Sequence, residues 1–267
     1  MICAGIDAGS RTIKAVLLDA ERMVVLGEGV VDQGIEQKRL ARLLLERIAE
    51  ESGIGMDDIA YTVATGYGRG MLDFADKTIT EITCHAAGVT YHLPETSVII
   101  DIGGQDSKVI HLEADGTVYD FSMNDRCAAG TGRFLELVAN RTEVPIERLG
   151  ELASKSRSPA AISSMCVVFA ETEIVGLMAE GVETSDIIAG VQFSIAERIA
   201  AMSGPVNGGG VTFTGGVAMI PGMRETLEDA VGAEVRVCSS PQKTGAMGAA
   251  LLAARRVRNI NKIGGRN

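Results

Sequence analysis

Asp7-Ala8-Gly9-Ser10, with Lys14 four positions on, puts a carboxylate, a glycine, a hydroxyl and an ammonium within eight residues. Gly9 lets backbone approach a phosphate closely, and the N–H groups of Gly9 and Ser10 can donate to phosphate oxygens. Asp7 repels phosphate, so its useful place is the Mg²⁺ side of a metal–nucleotide complex. Alone, this is equally the signature of a hairpin turn. A second loop, Asp101-Ile102-Gly103-Gly104-Gln105-Asp106, stands 94 residues after the first, counted from Asp7 to Asp101. It offers the same chemistry, with Gln105 able to orient an attacking water. A third element, Phe213-Thr214-Gly215-Gly216-Val217-Ala218, runs an apolar strand into a Gly-Gly turn that admits a flat base or ribose. Asp7, Asp101 and Gln105 are therefore the candidate catalytic residues. Gly9, Ser10, Arg11, Lys14, Gly103, Gly104, Gly130, Gly215, Gly216, Val217 and Gly245 are the candidate nucleotide-binding set. Lys14 can also be read as a merely exposed strand residue, and Arg69 as reaching either a phosphate or a carboxylate. No GxxxxGK[ST] occurs, which excludes a P-loop ATPase.

Two cysteines ask for separate chemistry. Cys127 lies in NDRCAAGTG and Cys166 in SSMCVVFAE, each just ahead of an expected helix. A helix N-terminus favours the thiolate, the form that ligates metal. Two thiolates cannot close a four-cysteine cluster, but two copies about a two-fold axis can. A shared zinc ion would use the same four sulfurs, and two buried thiols need no metal at all. Cys3, Cys84 and Cys238 fall in strands or helix interiors and read as buried free thiols. Glu171 and Glu173, beyond Cys166, read as structural carboxylates.

These loops need elements to hold them. ICAGID, TIKAVLLDA and MVVLGEGVV read as three antiparallel strands, followed by a helix over 35–52 stopped at Gly53 and a strand over 59–64. The pattern then restarts: a strand over 98–101, then SKVIHLEA and TVYDFSM joined by an Asp115-Gly116 turn. Helices are expected over 131–141, 167–179, 186–202, 221–231 and 243–256, with short strands VTFT and EVRVC between them. This is an α/β chain with an internal duplication. The expected division is an N-terminal lobe over 1–95, with a helix over 243–258 available to pack back on it, a C-terminal lobe over 96–242, and a tail over 259–267. Gly245 and Gly248 sit inside the last helix, where each costs about 0.8–1 kcal/mol against Ala, and so call for close approach of a helix or ligand.

The 267 residues, 46% apolar but without Trp, suit two lobes with aliphatic cores. A net charge of −10 argues against nucleic acid, and the C-terminal run Arg255, Arg256, Arg258, Lys262 and Arg266 reads as a solvated tail. No stretch reaches the length of a membrane span and no leader pattern opens the chain, so a cytoplasmic protein is expected. Five cysteines, an odd number, fit a reducing compartment rather than a disulfide framework.

The three nucleotide elements together resemble the actin, sugar-kinase and heat-shock-chaperone ATPase superfamily. That resemblance implies a two-lobed actin-like fold of duplicated ribonuclease-H-like lobes with a nucleotide cleft between them. NDRCAAGTGRF, ISSMCVVFAE, IDIGGQDSKVI, ATGYGR and EITCHAAG resemble, more narrowly, the activator subunits of 2-hydroxyacyl-CoA dehydratases and the ATPase subunits of benzoyl-CoA reductases, over residues 5 to about 255. What this implies is an ATP-driven one-electron carrier: a homodimer with one 4Fe–4S cluster held by Cys127 and Cys166 of each copy, ATP/ADP and Mg²⁺ in the cleft, ferredoxin or flavodoxin as donor, and a CoA-ester dehydratase or reductase as acceptor. A small-molecule kinase or a nucleotide sensor of the same fold would have no use for the cysteine pair. DQGI at 32–35 is shorter than the Gly/Thr-rich stretch of such activators, which leaves the partner unidentified.

Overall fold

ICAGID is buried along nearly its whole length, which a strand achieves only when both faces of its sheet are covered. In the computed structural model, which describes residues 1–163, 166–206 and 209–264, it lies in the middle of a five-stranded sheet. In chain order the first elements are β1 (Ile2–Ala8), β2 (Thr12–Asp19), β3 (Val24–Asp32), α1 (Gln37–Glu51), β4 (Ile59–Thr65), β5 (Lys77–Thr78) and α2 (Glu81–His92). Then come β6 (Thr96–Ile102), β7 (Ser107–Leu112), β8 (Val118–Asn124), α3 (Gly132–Thr142), α4 (Leu149–Ala153), α5 (Val167–Ala179), α6 (Thr184–Ser203), β9 (Gly210–Thr214), α7 (Met223–Val231), β10 (Val235–Val237) and α8 (Thr244–Gly264). Among the described residues no helix is long and apolar enough to cross a membrane.

The chain forms two units. One comprises Met1–Pro94, Gly116–Val118 and the chain from Gln242 on; the other comprises Glu95–Asp115 and Tyr119–Pro241. Their sheets have one topology, with orders β3-β2-β1-β4-β5 and β8-β7-β6-β9-β10. β1 runs antiparallel to β2 and parallel to β4, as β6 does to β7 and β9. The duplication expected from the two Asp loops is thus a duplication of whole sheets. Its register repeats too: Asp7 faces Lys14 across β1–β2, and Asp101 faces Lys108 across β6–β7.

In the first unit, alternate residues of β1 enter different cores. Ala4, Ile6 and Ala8 pack with Leu44, Leu45 and Ile48 of α1, while Cys3 packs with Ala250, Leu251 and Ala254 of α8. α1 stops where expected, with Gly53 at φ +67 following the Ser52 cap. In the second unit β6 and β9 meet Phe134, Leu135 and Val138 of α3 and Ile187, Val191 and Ile195 of α6.

Among the helices, α2 and the short α4 were not expected, and α8 runs longer than expected. α2 is absent from the sequence reading because Cys84 to Val89 are consecutively buried, so no polar face marks a helical period. α8 runs past Arg256 to Gly264, so the stretch expected as a tail from residue 259 begins in the same helix that carries Arg255, Arg256 and Arg258. The Arg258 guanidinium donates to the Ala20 carbonyl, and Arg266 lies outside the described residues.

The glycines of α8 are explained by α2. A Cβ on Gly248 would stand 1.7 Å from the Cys84 carbonyl oxygen, and one on Gly88 would stand 2.1 Å from the Thr244 oxygen. The two helices cross backbone on backbone, and nothing in the contact is a movable side-chain end. Gly248→Ala is therefore expected to destabilise the chain by about 2–3 kcal/mol, against the helix-propensity gain of about 1 kcal/mol it would bring in open space. Urea denaturation checks the sign.

Candidate nucleotide loops and cysteine pair

The β1–β2 hairpin brings Lys14 Nζ to 3.2 Å from Asp7 Oδ2, with the carboxylate residue only 7% exposed. Lys14 is thus mostly buried and ion-paired, not a free surface residue. The Gly9 N–H donates to the Thr12 carbonyl at 3.1 Å and closes the turn. It is engaged by the loop itself, whereas among the described residues the Ser10 N–H makes no such turn bond. Arg11 pairs with Asp32 at 3.3 Å on the exposed side, and the Arg69 guanidinium donates to the Gly66 carbonyl at 3.0 Å. Gly66, at φ +91, is needed because a Cβ there would lie 2.5 Å from Asp7 Oδ1.

The start of α8 closes the same site. A Cβ on Gly245 would stand 3.2 Å from Asp7 Oδ2 and 3.3 Å from His85 Nε2. His85, on α2 and buried, places Nδ1 3.0 Å from Thr244 Oγ1. Asp7, His85, Thr244 and Gly245 therefore converge, and the N-terminus of α8 faces a carboxylate, as its dipole favours. His85 and Thr244 were not among the expected residues. The nearest signal was EITCHAAG, where a histidine stands in an otherwise small and apolar run.

The second loop repeats the first with a deeper cation. Lys108 is 2% exposed, with Nζ 3.1 Å from Asp101 Oδ2 and 2.6 Å from Asp106 Oδ2. The Gly103 N–H donates to the Asp106 carbonyl at 2.9 Å, the counterpart of Gly9 on Thr12. Gln105 is exposed and Gly104 half-buried at the loop tip. The Gly-Gly turn after β9 packs on this loop: Gly215 has φ +91, and a Cβ there would lie 2.3 Å from the Ile102 oxygen and 2.8 Å from Asp101 Oδ1. Its missing side chain thus makes room for Asp101 itself, so any space for a flat ligand has to come from Gly216. Val217 is buried beneath that turn. Ser107 Oγ is buried beside the loop without a hydrogen-bond partner among the described residues, 3.7 Å from where a Gly130 Cβ would stand. An orphaned hydroxyl costs about 1–3 kcal/mol, and together with Asp101 and Lys108 it forms a donor and acceptor set that fits a metal–phosphate group.

The five cysteines divide sharply. Burial pushes the Cys84 thiol up to about 12 and the Cys238 thiol up to about 11, and raises that of Cys3. Cys127 is half-buried and Cys166 exposed, and both occupy the capping position before a helical turn. Cys127 precedes the short turn Ala128–Gly130 that leads into α3; Cys166 precedes α5 directly. This donor pair fits soft-metal ligation, and the other three thiols do not. Among the described residues no three Cys, His, Asp or Glu side chains converge on one point. α5 buries only Ala170 and Ile174 and leaves Val168 67% and Phe169 70% exposed, with Val175 and Met178 exposed as well. Glu171 pairs with Arg141, and Glu173 accepts from the Ser163 backbone and hydroxyl at 2.9 and 2.7 Å, so both carboxylates serve local structure.

The model of the BadF/BadG/BcrA/BcrD ATPase family matches residues 4–253. The activator of lactoyl-CoA dehydratase from Anaerotignum propionicum is 44% identical over 95% of this chain and 97% of its own length. The (R)-2-hydroxyglutaryl-CoA dehydratase activating ATPase of Acidaminococcus fermentans is 43% identical over 93% of this chain and 95% of its own. Among solved structures, the activator of the 2-hydroxyisocaproyl-CoA dehydratase from Clostridium difficile with bound ADPNP superposes with a TM-score of 0.91. It is 38% identical and covers 98% of both chains.

Proposed function

The chain belongs to the BadF/BadG/BcrA/BcrD ATPase family, and from that premise we propose that it is the ATP-driven one-electron activator of a CoA-ester dehydratase or reductase. Each unit carries one phosphate loop. In the first, Asp7 offers a carboxylate for the Mg²⁺ side, Ser10 an N–H donor and Lys14 positive charge; in the second, Asp101, Gly104 and Lys108 offer the same three. Gln105 would orient the water that converts ATP to ADP and phosphate. Cys127 and Cys166, with the same pair from a second copy, would hold a 4Fe–4S cluster. Such a cluster would supply single-electron chemistry between a ferredoxin or flavodoxin donor and the partner enzyme.

What supports the shared cluster most is α5. An exposed cysteine heads a helix whose apolar side chains are left uncovered, and a second copy of the same helix would cover them and complete the ligand count. Relatives named as dehydratase activators support the acceptor class.

Anaerobic purification tests the reading. The expected product is a brown dimer with about four irons and four sulfides per two chains that hydrolyses ATP and bleaches in air. A colourless, air-stable monomer that takes up no iron on reconstitution would sink the cluster and leave an ATPase only.

A further inference from the structure

The segment that carries Cys127 is linked through the start of α3 to the loop proposed to bind phosphate. Asn124, the last residue of β8, uses one side chain on both polar groups of Cys127: its Oδ1 accepts from the Cys127 N–H at 3.0 Å and its Nδ2 donates to the Cys127 carbonyl at 2.7 Å. Thr131, which caps α3, donates from Oγ1 to the Ala128 carbonyl at 2.8 Å and accepts from the Arg133 N–H at 3.3 Å. The first N–H groups of a helix have no partner within it. Here those of Gly132 and Arg133 donate, each at 2.9 Å, to the carbonyls of Gly103 and Gly104. The fit is tight, since a Cβ on Gly132 would stand 3.1 Å from the Gly103 oxygen and 3.4 Å from Gly104 Cα.

The Gly103 and Gly104 residues are thus held from their carbonyl side by α3. A ligand that moves the loop moves Gly132 and Arg133, the Thr131 cap carries the shift into the Ala128–Gly130 turn, and the Asn124 clamp fixes how Cys127 responds. Packed, hydrogen-bonded chains can carry coupling between sites; here hydrogen bonds join the loop to Gly132 and Arg133, Arg133 to Thr131 and Thr131 to Ala128, and Cys127 is the next residue along the chain, clamped by Asn124. We propose that Asn124 is the positioning residue for Cys127 and that, with Thr131, it makes the nucleotide state at Gly103–Gly104 legible at the Cys127 sulfur. The proposal rests on Cys127 being a cluster ligand, as put forward above.

The test uses the reconstituted full-length protein and the rate at which bathophenanthroline disulfonate removes iron, measured at saturating ADP and at saturating non-hydrolysable ATP analogue. In the wild type the two rates should differ by about fivefold or more, the low end of ordinary allosteric coupling. In Asn124→Ala and in Thr131→Val the ratio should fall below about twofold. Asn124→Asp, which keeps the acceptor for the Cys127 N–H, should recover part of it. Thr131 does not touch Cys127, so Thr131→Val decides the matter if Asn124→Ala fails to retain iron. A wild-type ratio preserved in Thr131→Val, or a wild type whose rates do not differ, overturns the coupling. A wild type that binds no iron overturns instead the function on which it rests.

Discussion

Cys166→Ser is expected to yield a folded protein that binds ATP but cannot be reconstituted with iron, and Cys127→Ser the same. A serine hydroxyl does not ionise under conditions where a thiol does, so one exchange removes two of four ligands from a cluster shared by two copies. The loss should therefore be complete rather than partial, with iron per chain falling by more than about tenfold. Cys84→Ser and Cys238→Ser provide the contrast. Their thiols are buried and held protonated by that burial, near 12 and 11, so both variants should keep full iron. Alkylation of the iron-free protein near neutral pH should follow the same division, fast at Cys166, slower at half-buried Cys127, and negligible at Cys3, Cys84 and Cys238. Iron retained by Cys166→Ser would refute the ligand assignment, and iron lost from Cys238→Ser would refute the sorting by burial. Neither exchange lies in the Asp7 or Asp101 loops, so nucleotide binding measured alongside shows whether the fold has survived.

What could be read from residues alone was governed by how much chemistry a residue type carries on its surface. Asp-x-Gly twice at one spacing pointed to a duplicated loop, and the two sheets repeat strand by strand. Gly248 pointed to a close approach because glycine is costly within a helix, and the Cys84 carbonyl is what approaches. α2 was illegible for the opposite reason: a helix buried on all sides shows no hydrophobic period. Lys108 was overlooked because a lysine in a strand is read as solvated, and only the cross-strand register with Asp101, together with Asp106 two residues away, reveals why it is inside. Asn124 gave no signal at all, since an asparagine before a loop is ordinary turn chemistry until its two bonds to Cys127 are seen. Gly9 and Gly103 were assigned N–H donation to phosphate, yet both N–H groups close their own turns. A glycine can be required by the loop it builds and still stand beside a ligand.

Lys108→Met should be the most damaging single exchange in the second unit. The ammonium is 2% exposed and sits between two carboxylates, one of them, Asp101, buried to 3%. Methionine fits the volume of the stem but leaves a buried carboxylate without its cation. Breaking a buried pair from one side costs about 3–5 kcal/mol, well above the 0–1 kcal/mol of an exposed pair. For a chain of this size that corresponds to a fall in melting temperature of about 10 °C. Lys14→Met, at the matching position of the first unit, should cost less, because that pair leaves 14% of the lysine and 9% of the carboxylate side chain in contact with water. The double exchange Lys108→Met with Asp101→Asn should recover part of the stability, since it removes the more deeply buried charge as well as its partner and leaves only Asp106, whose side chain is 23% exposed. It should not recover ATP hydrolysis, because the proposed metal-side carboxylate is gone. Added Mg²⁺ separates the two roles further. If Asp101 faces the metal, millimolar Mg²⁺ with ADP should raise the melting temperature of Lys108→Met by more than it raises that of the double variant. Equal shifts in the two would remove Asp101 from the metal side and leave the Asp101–Lys108 pair as a structural device of the β6–β7 hairpin.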